Sequence, residues 1–185
     1  MIAATPPGAS TSGITASNRS RLANSRFTRI RSDLKLTLIN KYLPNYSAQG
    51  DETLINGIHG TANWRLGNWQ GYQGKDVEAV IDMGQVKPIK QLSIGTLQDT
   101  RSWIVFPKTV QYMISDDGKN YKLVATVDSK VDIKVLEPTT QEFAASVSVK
   151  ARYIKIIAKQ YGPLPDWHES KGSPSYIFAD EITVE

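Results

Sequence analysis

Short runs in which apolar and polar residues alternate recur from Leu34 to the end of the chain, separated by Gly, Pro, Asn and Asp. In the run 77–83, Val77, Ala79, Ile81 and Met83 occupy every second position, which places them on one face of an extended strand. Eight such strands are predicted, at 34–39, 77–83, 89–97, 109–115, 121–127, 141–149, 152–158 and 181–185. No long helical periodicity interrupts them. This spacing predicts an all-β fold, a β-sandwich or jelly roll of about eight antiparallel strands.

Residues 1–33 differ in composition from the remainder of the chain. They are rich in Ser, Thr, Ala and Asn and contain one aromatic residue, Phe27, so they are unable to bury a core. We therefore expect a flexible, basic, Ser/Thr-rich tail at 1–33, a linker or a remnant of a longer chain or fusion, followed by one domain at 34–185. No apolar run reaches the length of a secretory signal core or a membrane span.

The formal net charge of +4 comes from the tail. Five arginines and no acid fall within residues 1–32, which leaves 17 basic and 18 acidic residues for the remainder. A nucleic-acid-binding domain carries its positive charge on the folded part. The charge distribution therefore argues against a nucleic-acid partner.

Few residues are suited to catalysis. The chain has no cysteine, which excludes disulfides, thiolate metal sites and cysteine nucleophiles. Its two histidines, His59 and His168, lie in no recognisable catalytic signature. Asp116 and Asp117 are typical turn residues. The sequence therefore predicts a protein that is not an enzyme.

A glycine-rich turn at 53–61, with Asn56 and Thr61, exposes several oxygen atoms to one region. Such a turn suits Ca²⁺, which takes six to eight oxygen ligands, many of them backbone carbonyls. The alternative is a plain turn in which Asn56 and Gly57 adopt unusual backbone angles.

Large aromatic residues are concentrated in predicted loops rather than strands. The segment 63–76 alone contains Trp64, Trp69 and Tyr72, and further rings follow at Trp103, Tyr161, Trp167 and Tyr176. Polar side chains close in sequence to these rings include Arg65, Gln98, Asp99 and His168. Rings combined with a few planar polar groups are typical of a small-molecule site, and they suit a sugar in particular. The alternative is that the rings cap the core.

Five segments in order resemble the discoidin, or coagulation-factor type C, domain, a galactose-binding-like β-sandwich. They are LINGIHGTANWRLGNWQG (54–71), VEAVIDMGQVKPIKQLSI (77–94), PKTVQYMISDDGKNYKLV (107–124), ARYIKIIA (151–158) and FADEITV (178–184). The resemblance covers about 45 to 185. More narrowly, the stretches 69–84, 97–108 and 162–182 are similar to the C-terminal module of bacterial family 20 β-N-acetylhexosaminidases. The chain is too short to hold their catalytic barrel.

The resemblance implies two sites. The first is a structural Ca²⁺ ion held by the opening turn and the last strand, through Asn56, the Thr53 carbonyl, Thr61, the Asp180 carbonyl and Glu181. The second is a ligand surface formed by loops at one end of the sandwich: an opening loop with Arg65 and Trp69, a middle loop with Gln98, Asp99 and Trp103, and a last loop with Trp167, His168 and Tyr176.

We therefore expect a non-catalytic carbohydrate-binding module that targets a glycoside hydrolase to galactose- or N-acetylhexosamine-bearing glycans. Its expected location is outside a bacterial cell, in its periplasm or on its surface. Its partners would be glycans and a catalytic domain of the parent hydrolase. The alternative is a structural accessory domain that packs on a hexosaminidase barrel without binding sugar. No loop carries the apolar spikes flanked by basic residues that membrane binding requires.

Overall fold

The computed structural model describes residues 34–185, and the tail predicted at 1–33 lies outside the described residues. Eight strands form the domain. They are β1 (Lys35–Leu38), β2 (Gln70–Gln73), β3 (Val77–Gln98), β4 (Thr109–Ser115), β5 (Lys122–Asp128), β6 (Thr139–Glu142), β7 (Ala145–Lys159) and β8 (Tyr176–Val184). Short 3-10 turns lie at Pro44–Tyr46, Asp51–Ile55, Trp64–Leu66 and Thr100–Ser102. The prediction of an all-β, galactose-binding-like sandwich is confirmed.

Every strand pairing is antiparallel. The strands follow the order β2-β8-β3-β7-β4-β5, and both β1 and β6 also pair with β3. Strand β3 is therefore the hub of the domain. Its first half pairs with β1 and β7. Its last residues, Gly95 to Gln98, pair with β6 on one side. On the other side, Thr96 and Leu97 pair with β8.

Strand β3 joins two strands that the sequence predicts separately, 77–83 and 89–97. The pairing with β7 shifts register between Asp82 and Lys87, and Gly84 within this step has a φ of 75°. A left-handed backbone of this kind favours glycine because it has no Cβ. The chain therefore bends at Gly84 and continues pairing with β7 on both sides of the bend.

The main core lies between the alternating faces of these strands. It includes Val77, Ala79 and Ile81 of β3, whose one-face placement the sequence predicts, together with Val110, Tyr112, Ile154 and Ile156. A second, smaller core cluster contains Trp69, Leu97, Ile104 and Phe178. Among residues 34–185, no helix has the length and apolarity to cross a membrane.

Candidate functional site

Three loops are held together by specific hydrogen bonds. The indole nitrogen of Trp64 in the opening loop donates to Asp99 Oδ2 in the middle loop at 3.0 Å. The amide of Tyr176 at the end of the last loop donates to the carbonyl oxygen of Trp103 at 2.8 Å. The middle loop is therefore bonded to both of the others, and the predicted meeting of these loops is found in the structure.

A 3-10 turn at Trp64–Leu66 positions Arg65 in the opening loop. Asn63 caps this turn, because its Oδ1 accepts the backbone N–H of Arg65 at 3.3 Å. Gly67 ends the turn with a φ of 85°. The Arg65 guanidinium carbon lies 4.2 Å from the centre of the Trp64 ring, a cation–π distance. Arg65 is exposed but is held by the ring beneath it.

Four rings pack edge-on beneath this loop. The Tyr46 ring lies 6.0 Å from Trp64, 5.6 Å from Tyr176 and 5.0 Å from Phe178, measured between ring centres. Edge-to-face packing at these distances stabilises an aromatic cluster beyond the area it buries. The cluster fixes the floor of the opening loop and links it to the start of β8.

A cavity of about 260 Å³ opens beside this aromatic cluster. Its polar lining consists of Asn45, Ser47 and Arg65, and Tyr46, Trp64 and Phe178 form its aromatic wall. The volume is slightly below that of ordinary small-molecule pockets, which begin at roughly 300 Å³. A space of this size, with rings on one side and a guanidinium, an amide and a hydroxyl on the other, suits one sugar unit. We call this space the Arg65 cavity.

Trp103 adopts a backbone conformation that non-glycine residues rarely adopt. Its φ is 66°, and its amide closes the 3-10 turn by donating to the Thr100 carbonyl at 2.9 Å. Left-handed backbone at a bulky residue is costly and is found where the surrounding structure imposes it, often at functional sites. The Trp103 side chain is half-buried. Among the described residues, no side-chain hydrogen bond or ring contact holds its indole.

Trp69 is largely buried, and its expected contact with a ligand stays a prediction. This side chain is only 3% exposed and belongs to the second core cluster. Its indole nitrogen donates to the Thr61 carbonyl at 3.0 Å, and its ring lies directly on Gly60, where an added Cβ would be 2.1 Å from ring carbon Cε2. Trp69 therefore packs in the core, and its close contact with Gly60, nine positions earlier in the same loop, leaves no room for a side chain there.

Three further residues expected to touch a ligand are buried and bonded internally. Gln98 donates to the carbonyls of Asp132 and Val135, at 3.0 and 3.3 Å. Asp99 accepts hydrogen bonds from Trp64 and from Ser102 Oγ at 2.8 Å. His168 is 6% exposed and lies 2.9 Å from the Thr100 carbonyl through Nε2. These side chains hold the loops in place, and their contact with a ligand stays a prediction.

The other expected ligand residues remain accessible. Arg65 and Trp167 are exposed, the latter by 45%, and Trp103 and Tyr176 are half-buried. The Trp167 ring lies 5.8 Å from the ring of His168. Sequence reasoning missed Asn45, Tyr46 and Ser47, which line the Arg65 cavity. Their signal was the turn sequence PNYS with a ring inside it, directly before the resemblance becomes strong.

The oxygen atoms expected to hold Ca²⁺ converge in part. Glu181 Oε2 accepts the amide of Gly57 at 2.8 Å, which brings the last strand onto the opening turn beside Asn56. The Thr53 carbonyl oxygen accepts the backbone N–H of Asn56 at 3.4 Å. The Asn56 side-chain oxygen accepts the Ile58 amide at 2.8 Å and has a further lone pair. Glu181 is thus bonded to the turn that carries Thr53 and Asn56, and the binding of Ca²⁺ by their oxygens stays a prediction.

The Thr61 hydroxyl and the Asp180 side chain form other hydrogen bonds, and the role expected for the Asp180 carbonyl stays a prediction. The Thr61 hydroxyl, in an exposed residue, forms a local turn with the Asn63 amide at 3.3 Å. The Asp180 side chain accepts the Gly60 amide at 2.7 Å and the Glu181 amide at 2.6 Å. Within residues 34–185, no three His, Asp or Glu side chains are grouped closely enough to hold a metal by themselves. An ion at the turn would thus depend on neutral oxygens.

Comparison with known families gives one match, to the model described as the F5/8 type C domain, over residues 39–177. Among solved structures, the family 32 carbohydrate-binding module of Clostridium perfringens NanJ in complex with galactose is 12% identical, with a TM-score of 0.51, over 84% of this chain and 95% of that one. CpGH89CBM32-5 from Clostridium perfringens, in complex with GalNAc-β-1,3-galactose, is 15% identical, with a TM-score of 0.50, over 84% and 96%.

The C-terminal domain of a chitobiase from Bacteroides fragilis is 18% identical over 84% of this chain and 95% of that one. Its TM-score of 0.47 is too low to support the narrower hexosaminidase resemblance, which stays a prediction. Comparison with curated protein sequences gave no significant match. At these identities the solved structures establish the fold alone.

Proposed function

The chain belongs to the F5/8 type C domain family, and from this premise we propose that it is a non-catalytic carbohydrate-binding module. The Arg65 cavity is the observation that carries the proposal. It combines an aromatic wall, Tyr46 and Trp64, with a guanidinium that is already held in place by the ring it covers. A sugar offers apolar C–H faces to rings and hydroxyl pairs to planar polar groups, so both halves of the cavity are used.

The middle loop extends this surface. Trp103 is bonded through its backbone to Tyr176, whose ring contacts Tyr46 at the cavity wall. A second sugar unit placed beyond the cavity would meet the half-exposed Trp103 indole. Two structural neighbours are described in complex with galactose and with GalNAc-β-1,3-galactose. Galactose- and N-acetylhexosamine-bearing glycans are therefore the first ligands to test.

A single site of this size is expected to bind weakly. A monosaccharide has about twelve heavy atoms, and at roughly 0.3 kcal/mol per atom the binding free energy is about −4 kcal/mol, near a millimolar Kd. Useful attachment of a parent hydrolase to its glycan would then depend on several such modules acting together. We expect the module to act where such glycans occur, outside a bacterial cell, in its periplasm or on its surface.

The proposal is tested by a glycan array followed by titration of the full chain with methyl galactoside and N-acetylgalactosamine. Arg65→Ala is expected to weaken binding at least tenfold, because it removes a charge-assisted donor from the cavity. Lys134→Ala, which removes an exposed cation on a different loop, is the control and should bind as the unsubstituted chain does. A folded protein that binds no glycan on the array would contradict the proposal.

A second candidate function is a structural one, in which the domain packs on a hexosaminidase catalytic barrel without binding sugar. Leu66, exposed by 65%, and Trp167 favour it, because both are large apolar side chains exposed on the loops of the candidate site. Under this proposal the two side chains would be covered in the parent protein. Glycan binding by the isolated chain distinguishes the two functions.

We also propose Ca²⁺ as a structural ligand of the opening turn. The Thr53 carbonyl, the Asn56 amide oxygen and the Glu181 carboxylate would hold it. The ion would supply positive charge that clamps the turn onto β8. The Glu181 carboxylate already joins these two segments through the Gly57 amide, so the ion would strengthen an existing contact.

A further inference from the structure

A second cavity lies on the other side of Trp69 from the Arg65 cavity. Its volume is also about 260 Å³, and Trp69 lines both. Its remaining lining is polar and comes from the opening loop, β3, β6 and β8: His59, Gly60, Gly95, Thr96, Thr140, Gln141, Glu142 and Asp180. No residue of the expected sugar surface apart from the buried Trp69 belongs to it. We call it the Asp180 cavity.

Gly95 creates the space for this cavity. It lies on β3 at a register shift in the pairing with β8, and it faces Glu142 of β6. A Cβ at Gly95 would lie 2.1 Å from Asp180 Oδ1, so only glycine leaves room for the carboxylate there. Asp180 of β8 and Glu142 of β6 therefore flank the bare backbone of Gly95 from its two sides.

The negative charge of this cavity is not balanced by a base. Asp180 is only 2% exposed, and its carboxylate accepts two backbone amides, those of Gly60 and Glu181. Within residues 34–185, no lysine or arginine forms an ion pair with Asp180 or Glu142. The one nearby partner is the exposed His59, whose Nδ1 lies 3.6 Å from Asp180 Oδ2 and which is charged only when protonated. Burial raises the pKa of the Asp180 carboxyl, and a cationic ligand would stabilise its charged form.

A metal ion is a poor candidate for that cation, because the acidic and histidine side chains of residues 34–185 form no metal-holding group. An ammonium group needs fewer ligands than a metal ion does. Each oxygen of the Asp180 carboxylate keeps a lone pair after accepting one backbone amide. Thr140 and Glu142 alternate along β6 and so share a face, which places a hydroxyl beside the second carboxylate. Hydroxyl and amide groups around two carboxylates suit a hydroxylated amine.

From this geometry we infer that the Asp180 cavity binds a hexosamine unit with a free amine, whose ammonium group is held between Asp180 and Glu142 across Gly95. The inference rests on the proposed function for the choice of a sugar and on the two carboxylates for its charge. It gives the module a second, charge-selective subsite next to the neutral sugar site. An N-acetylated sugar has no ammonium group, so this cavity discriminates against it.

The test is a titration of the full chain, followed by NMR, with glucosamine, N-acetylglucosamine and methyl galactoside. Glucosamine is expected to shift the signals of His59, Thr140 and Glu142 and to bind at least tenfold more tightly than N-acetylglucosamine at this cavity. Glu142→Gln and Asp180→Asn should each weaken glucosamine binding about tenfold, because a charge-assisted bond becomes a neutral one. Asp180→Asn keeps an oxygen that can accept the Gly60 amide.

Two controls separate this inference from the proposed function. Glu137→Gln removes an exposed carboxylate outside the cavity and should leave glucosamine binding unchanged. Arg65→Ala should weaken methyl galactoside binding and spare glucosamine. Equal affinity for the two hexosamines, no glucosamine binding by the folded chain, or insensitivity to Glu142→Gln would each overturn the inference, whatever the galactoside result. If Asp180→Asn fails to fold, glucosamine binding by Glu142→Gln, a change at an exposed residue, still tests the inference.

Discussion

His168 Nε2 lies 2.9 Å from the carbonyl oxygen of Thr100, and this contact fastens the last loop to the middle loop. The other ring nitrogen, Nδ1, accepts the Ser170 amide at 3.0 Å, so the neutral ring carries its proton on Nε2 and donates it to Thr100. The Thr100 hydroxyl in turn donates to the Ile133 carbonyl at 2.8 Å. One buried imidazole thus helps to fix the backbone on which Trp103 stands.

His168→Ala should therefore act on stability first. It removes one of the two donors of the buried Thr100 carbonyl, which still accepts the Trp103 amide, and losing one such hydrogen bond costs about 0.5–1.5 kcal/mol of unfolding free energy. Thermal unfolding measures this loss, and His59→Ala, which changes an exposed ring, is the control. If His168→Ala left the melting temperature unchanged but removed glycan binding, His168 would be a ligand residue after all.

Trp69 and Trp103 should respond differently to truncation. Trp69→Ala removes a buried ring from the second core cluster and is expected to cost about 3–5 kcal/mol of stability. Trp103→Ala removes a half-exposed ring and should shift the melting temperature little while weakening glycan binding at least tenfold. Chemical denaturation and glycan titration of the two variants check this. Normal binding by Trp103→Ala would remove Trp103 from the sugar surface.

Asp82 makes the stability of the domain depend on pH in the acidic range. Arg152 donates two hydrogen bonds to its carboxylate, at 2.8 and 2.9 Å, and lowers the pKa of Asp82 to about 2. Since this folded-state pKa lies below the ordinary value near 4, the pair contributes stability above about pH 4 and loses it as the pH falls towards 2. The contribution is small, because solvent screens the partly exposed Arg152.

The unfolding free energy of the unsubstituted chain should therefore exceed that of Asp82→Asn at pH 6, and the difference should vanish near pH 2. Asp116→Asn, in an exposed turn, controls for the loss of a charge. A constant difference from pH 6 to pH 2 would show that the Asp82 side chain acts through shape rather than charge.

Calcium should raise the melting temperature of the unsubstituted chain, because a ligand that binds only the folded state stabilises it. Glu181→Gln should abolish that rise, since it removes the carboxylate proposed to hold the ion. In chelator, the same variant should be only slightly less stable, because a glutamine oxygen still accepts the Gly57 amide. Equal responses of both proteins to Ca²⁺ would exclude Glu181 as a ligand, and no response in either would exclude the ion.

The strands of this domain follow from sequence because alternation records which face is buried. The runs 77–83 and 109–115 lie in β3 and β4 with the expected faces in the core. Strand β2 was not predicted, because Gln70–Gln73 contains no alternating pattern. Its Gly71 is needed for close contacts with two aromatic side chains. A Cβ at Gly71 would lie 2.6 Å from the Phe178 ring and 2.8 Å from Tyr46.

The candidate site was predictable only at the level of its loops. Trp64 and Trp69 occur in the same loop and look alike in sequence, yet one forms a cavity wall beneath Arg65 and the other is buried on Gly60. The difference depends on contacts between residues far apart in the chain, such as Trp64 with Asp99. Periodicity carries no information about such contacts. For the same reason the Asp180 cavity, assembled from three strands and a loop, has no sequence signature.

Trp69 is the wall shared by the Arg65 and Asp180 cavities. Its ring lies against Gly60 and is bonded to the Thr61 carbonyl, so a ligand that displaced the ring in one cavity would change the shape of the other. Two ligands that both displace this ring would be thermodynamically linked, and the linkage would be reciprocal. If a neutral sugar in one cavity changes the affinity for an amine in the other, the amine must change the sugar's affinity by the same factor.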